Sequence, residues 1–178
     1  STAISNFYWL SITGNNVDIR NLTVKRYFKQ GAIDITASAA ASDSSRTYLT
    51  NIFFDNNESD NTYDGANAKG GAVWISSGTK PAAVYFNSCQ FNQNIAETTS
   101  GGGALFAQAS GAVTSTVLLE KCRFTCNSTT GVDLTTYDGG AILLSNSSLK
   151  INNSFFYGNR VNDRKGGAIY ALNSLAGY

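Results

Sequence analysis

The chain has 178 residues, with 13 Lys+Arg against 12 Asp+Glu and no His. Only 14% of residues are charged, so there is no basic stripe for phosphates, and nucleic acid is excluded as a partner. No apolar run approaches the ~18 residues of a membrane-spanning helix, and the lack of His removes serine triads and the usual zinc sites.

Taken in chain order, the segments repeat. Residues 7–12 read as a short strand. Five octamers then align without gaps: VDIRNLTV (17–24), TYLTNIFF (47–54), VYFNSCQF (84–91), VLLEKCRF (117–124) and LKINNSFF (149–156). In four of them Asn follows the terminal Phe by three, giving Asn57, Asn94, Asn127 and Asn159. The first octamer has Tyr27 at that place. A second element alternates with the octamers: GGAV (70–73), GGAL (102–105) and GGAI (139–142 and 166–169), with a degenerate QGAI at 30–33.

Within each octamer the first and third positions are nearly all apolar, which is the period of two of a half-buried strand. The phase breaks at the polar fourth and fifth positions, as in Arg20-Asn21 and Asn87-Ser88. Apolar or small residues resume at the sixth and eighth. Each octamer therefore predicts two short strands meeting at a corner, and the GGA element supplies a third. Such units cannot bury their apolar faces alone, but stacked as coils they form one continuous core. The expected fold is all-β, a right-handed parallel β-helix of about five coils with loop insertions. Phe54, Phe91, Phe124 and Phe156 are expected as an internal stack with offset rings. The FxxN asparagines are expected to tolerate left-handed geometry and to bond neighbouring coils as a ladder. The paired glycines suit a corner where φ is positive or a Cβ would crowd the next coil.

Loops are expected at 58–69, 95–101, 128–138 and 160–165, between each FxxN and the next paired glycines. A further loop is expected at 36–46. The whole of 1–178 reads as one β-helix segment, cut mid-pattern at both ends and so part of a longer chain. Neighbouring domains or coils are then expected to cover its terminal edges.

The pairing of GGA[ILV] with FxxN resembles the repeats of the chlamydial polymorphic outer membrane proteins, over nearly the whole chain from Val17 to Ala171. Similar coils occur in large secreted surface proteins of other bacteria. The resemblance implies an autotransporter-like surface protein with a β-helical, adhesive passenger. The first coil departs from the pattern, having neither paired glycines nor FxxN.

Chemistry was sought on the outward columns. Glycoside cleavage wants two carboxylates ~5–9.5 Å apart. The octamer's second position reads Asp18, Tyr48, Tyr85, Leu118 and Lys150, and the GGA strand's outward position reads Ser11, Asp34, Trp74, Phe106, Leu143 and Tyr170. Neither column holds two carboxylates, and no catalytic residue is assigned. Asp55, Asn57, Ser59 and Asn61 alternate like a calcium loop but lack its turn Gly and bidentate Glu, so a solvated loop is expected; no metal or cofactor is assigned. The TYDG at 136–139 reads as a turn. Cys89 and Cys122 share one inward column, suiting a packed thiol pair or a disulfide, and Cys126 is unpaired in either case. Sequons at Asn21, Asn57, Asn127, Asn146 and Asn152 are at the level of chance.

The function expected is therefore non-enzymatic: a secreted or cell-surface bacterial stalk or adhesin with partner-binding loops, the partner a surface protein or a glycan. The alternative is part of a carbohydrate-active β-helix, a polysaccharide lyase or glycoside hydrolase, whose catalytic coils lie elsewhere. Trp74, Phe106, Leu143 and Tyr170 are the partner-binding candidates, as a large apolar ladder facing outward. The competing expectation is that loops carrying Tyr63 and Tyr137 fold over that ladder.

Overall fold

A computed structural model describes residues 9–29, 31–37, 45–60, 70–78, 80–97, 101–110, 113–130, 138–162, 166–173 and 175–177. Among these residues there is no helix, so none is long and apolar enough to cross a membrane. All strand pairing is parallel. The first sheet has six strands: Leu10–Ile12, Ile33–Thr36, Val73–Ser77, Leu105–Ala109, Ile142–Ser145 and Ile169–Leu172. The second and largest sheet is made of the octamers, from Val17–Lys25 and Ser45–Asp55 onward. Along the chain the strands pass from the first sheet to the octamer sheet and back once per coil, so each coil stacks on the last. This is a parallel β-helix.

The octamer columns pair in the expected register. Val17 lies opposite Thr47, Thr47 opposite Val84, Val84 opposite Val117 and Val117 opposite Leu149. Their third-position neighbours Leu49, Phe86 and Leu119 are buried in the core. The corner is made by left-handed backbone at the fifth position: Asn21, Asn51, Ser88, Lys121 and Asn153 have φ between 47 and 57°. Asn leads this column because its short polar side chain tolerates that conformation. On the solvent side Asn51 Nδ2 donates to Asn21 Oδ1 at 2.8 Å, linking two coils at the corner.

Beyond the corner the four phenylalanines form the internal row. Phe54–Phe91, Phe91–Phe124 and Phe124–Phe156 have centroids 4.7, 4.4 and 4.7 Å apart, with planes within 11, 4 and 4°. The centroids are farther apart than the ~3.5–4.0 Å of carbon contact, which is the offset stack that ring quadrupoles favour. Phe86 meets Phe91 edge-on at 5.5 Å and ties the row to the rest of the core.

A second corner follows, and here the expectation needs correction. The left-handed residue is not the FxxN asparagine but the one before it: Asn56, Gln93, Cys126 and Gly158, with Arg26 in the first coil. That turn swings Asn57, Asn94 and Asn127 inward, where each is 0% exposed. Asn94 shows the pattern. Its Oδ1 accepts from Asn57 N at 3.1 Å and Asn57 Nδ2 at 2.9 Å. Its Nδ2 donates to Asn127 Oδ1 at 2.9 Å and to Phe54 O at 3.1 Å. Asn57, Asn127 and Asn159 continue the ladder, with Nδ2 donating to the backbone oxygen of Val24, Phe91 and Phe124.

Segments expected to be loops from the FxxN onward begin instead as strands. Phe28–Lys29, Glu58–Asp60, Ile95–Glu97, Ser128–Thr129 and Arg160–Val161 form a five-stranded third sheet. The inward residues there are Ser59, Ala96 and Thr129, too small and too polar to show an apolar alternation. The paired glycines sit where coils touch. A Cβ on Gly103 would lie 2.2 Å from Gly140 O and 2.5 Å from Ser128 N, so close approach of backbones rather than positive φ excludes a side chain there.

Two outcomes follow from these ladders. Phe124→Ala is expected to lose about 3–5 kcal/mol by opening a cavity in the ring row, read from a denaturant midpoint. Asn94→Ala is expected to cost about 1–3 kcal/mol for each buried group it strands. Asn94→Asp should be worse at neutral pH, where its carboxylate cannot donate. Part of that loss should return in acid, because burial raises the carboxyl's folded-state pKa and protonation restores one donor.

Candidate partner-binding face

The outward column of the first sheet forms as its alternation predicts. Asp34 pairs with Trp74, Trp74 with Phe106, Phe106 with Leu143 and Leu143 with Tyr170. It is not an open ladder. Phe106 is 5% and Leu143 3% exposed, and together they form a second apolar cluster with half-buried Trp74 and Tyr170 packed against it. Trp74 meets Phe106 edge-on at 4.8 Å. The expectation of four free faces therefore fails at Phe106 and Leu143, while Trp74 and Tyr170 keep part of their surface. Tyr63 and Tyr137 lie outside the described residues.

The calcium-like spacing does not converge. Asn57 is turned into the buried ladder and Ser59 into the third sheet's inner face, whereas Asp55 faces out. Asp55 is held by Asn92 Nδ2 at 2.8 Å and lies 3.7 Å from Lys25 Nζ. Asn61 lies outside the described residues. Asp138 of the TYDG string is buried, its Oδ1 accepting from Gly101 N at 2.9 Å. With Gly139 it forms a two-residue strand against Gly101–Gly102, so it is a strand start rather than a free turn.

Acidic residues placed in a loop by the sequence lie on the third sheet's outer face. Glu58 pairs with Ile95 and Asp60 with Glu97. Burial first, then the charges of Glu97 and Asp60, raise the Glu58 carboxyl above its usual range. On the second sheet, the Arg20 guanidinium bonds Asp18 and holds its carboxyl below that range.

Cys89 and Cys122 are buried free thiols; Cys126 is a free thiol at the exposed second corner. Cys89 Sγ donates to Leu49 O at 3.2 Å and Cys122 Sγ to Phe86 O at 3.3 Å, each bonding an earlier coil. The adjacent Cys122 and burial push the Cys89 thiol up. Buried serines also line a third corner: Ser45, Ser115 and Ser147 share one column with Ala82, and Ser115 Oγ donates at 2.9 Å to Ser77 Oγ, at the end of the preceding coil's first-sheet strand. Small polar residues carry no periodicity of their own, so only the alignment of coils could have found them.

With this geometry in place, comparison with known proteins places the chain's building block. The model of the Chlamydia polymorphic membrane protein repeat matches residues 88–108 and 153–172. Each stretch runs from a first corner through one FxxN turn to one GGA strand. The probable autotransporter YfaL of Escherichia coli (strain K12) is 31% identical over 112 residues, covering 61% of this chain and 9% of that protein. No solved structure matches. The chain is of the secreted or cell-surface bacterial kind.

Two measurements check this description. Phe106→Ala should behave as a core truncation, losing about 3–5 kcal/mol in denaturant unfolding. A thiol reagent added to the folded protein should label Cys126 alone, with Cys89 and Cys122 reacting only after denaturation.

Proposed function

We propose that the chain is a non-enzymatic, rigid element of a bacterial surface protein, a stalk or adhesin whose partner specificity resides in its loop insertions. One observation carries this reading. Both stretches that match the chlamydial repeat coincide with the FxxN–GGA unit, the part that closes a coil through the buried amide ladder and the close glycine approach. What the two stretches share is the turn and strand that build a rod, which supports a structural role. Of the loops expected at 58–69 and 128–138, residues 61–69 and 131–137 lie outside the described residues; loops on a stacked rod suit the display of binding residues on a rigid scaffold.

The test is adherence. Displayed on a non-adherent bacterium, the full chain should confer binding to a host-cell layer. Replacing 61–69 and 131–137 by short Gly-Ser linkers should abolish that binding while the β-sheet circular dichroism is retained. Undiminished adherence by the folded loop-replaced protein would overturn the loop assignment.

A further inference from the structure

The outer face of the second sheet carries a notch beside a column without paired carboxylates. Its second-position column is Asp18, Tyr48, Tyr85, Leu118 and Lys150, one per coil in register. Tyr48 and Tyr85 stack face to face, with centroids 4.7 Å apart and planes within 16°. One face of the Tyr85 ring is thereby covered. The other is turned toward the next coil, where the column drops from a phenol to the shorter, branched Leu118. The step leaves a notch of about 310 Å³, at the small end of the ~300–1,000 Å³ range of ligand sites. Two residues along each strand, on the same side of the sheet, Thr50, Asn87, Glu120 and Asn152 stand in register and line its rim.

We propose that this notch is a subsite for an uncharged glycan, with one sugar ring lying against the free face of Tyr85. The notch lies on a strand face rather than in a loop, so it adds an auxiliary contact, too weak to hold a cell without the loops, to the adhesin reading on which it rests for its biological sense. The chemistry of the lining selects the occupant. An aromatic face carries negative quadrupole density and attracts the weakly positive C–H face of a pyranose. The rim offers two amides, a hydroxyl and a carboxylate, which donate to and accept from sugar hydroxyls. The lining holds one carboxylate and no basic side chain, which disfavours sialylated, sulfated or phosphorylated ligands. A protein segment would need more apolar area than one ring face and one leucine provide. The Glu120 Oε1 is held by Asn153 Nδ2 at 3.2 Å, so part of the rim is already oriented.

The experiment is binding of the full chain to an array of uncharged hexose and N-acetylhexosamine oligosaccharides, printed beside sialylated and sulfated ones. Affinities for the best ligand are then measured for three variants. Tyr85→Ala should weaken binding at least tenfold, and Tyr85→Phe, which keeps the ring face, should keep most of it. Leu118→Tyr should abolish binding in a stably folded protein, because a third tyrosine continues the stack and fills the notch. Binding to uncharged glycans that Leu118→Tyr leaves intact overturns the site. So does preference for the anionic oligosaccharides, or the absence of any glycan binding in a chain that still confers adherence; that last result leaves the adhesin reading standing. Glycan binding lost in Leu118→Tyr, with no adherence to cells by the wild-type chain, upholds the notch and overturns the adhesin reading instead.

Discussion

A primary amide in a dry interior needs partners for two donors and an acceptor with two lone pairs, and in this fold only the coils above and below can supply them. Asn94 draws two protons from Asn57 and gives its own to Asn127 and to the Phe54 carbonyl. Every coil is thus closed by its neighbours rather than by itself. The cost of leaving such a group unpaired, about 1–3 kcal/mol, fixes the vertical register of the stack more tightly than apolar contact, which tolerates sliding. The phenylalanine row follows from that register: Phe54, Phe91, Phe124 and Phe156 lie three residues before the asparagines, so aligning one column aligns the other. So do the glycines, because coils held at this spacing bring Gly103 against Gly140 O.

The same dependence explains what could be read without coordinates. A column occupied by one distinctive residue per coil is visible as a repeat, so Phe, FxxN, GGA and the corner at Asn21, Asn51 and Asn153 all announced themselves. Columns filled by different residues with one shared conformation did not. Arg26, Asn56, Gln93, Cys126 and Gly158 have nothing in common but left-handed backbone, and the turn was assigned one residue too late. The third sheet was missed for a related reason. Its strands are two or three residues long, with Ser59, Ala96 and Thr129 inward, and no hydrophobic period separates such a strand from a loop.

Orientation and exposure also parted company. Alternation placed Trp74, Phe106, Leu143 and Tyr170 outside the main core, and they are outside it. Whether an outward residue meets water is not encoded in a single strand: Phe106 and Leu143 are buried in a second core, whereas the same aromatic-to-leucine step at Tyr85 and Leu118 borders a notch.

That contrast bears on how a repeat of this kind acquires specificity. Two inward columns, the phenylalanines and the buried asparagines, keep one residue type from coil to coil through packing and hydrogen bonds, and the other inward columns stay apolar or small. Outward columns have no such restraint: along one of them the chain runs Asp, Tyr, Tyr, Leu, Lys in five coils. Recognition in a solenoid therefore depends less on any one residue than on the difference between vertically adjacent ones. The scaffold can keep its ladders unchanged while its outer relief is rewritten one coil at a time.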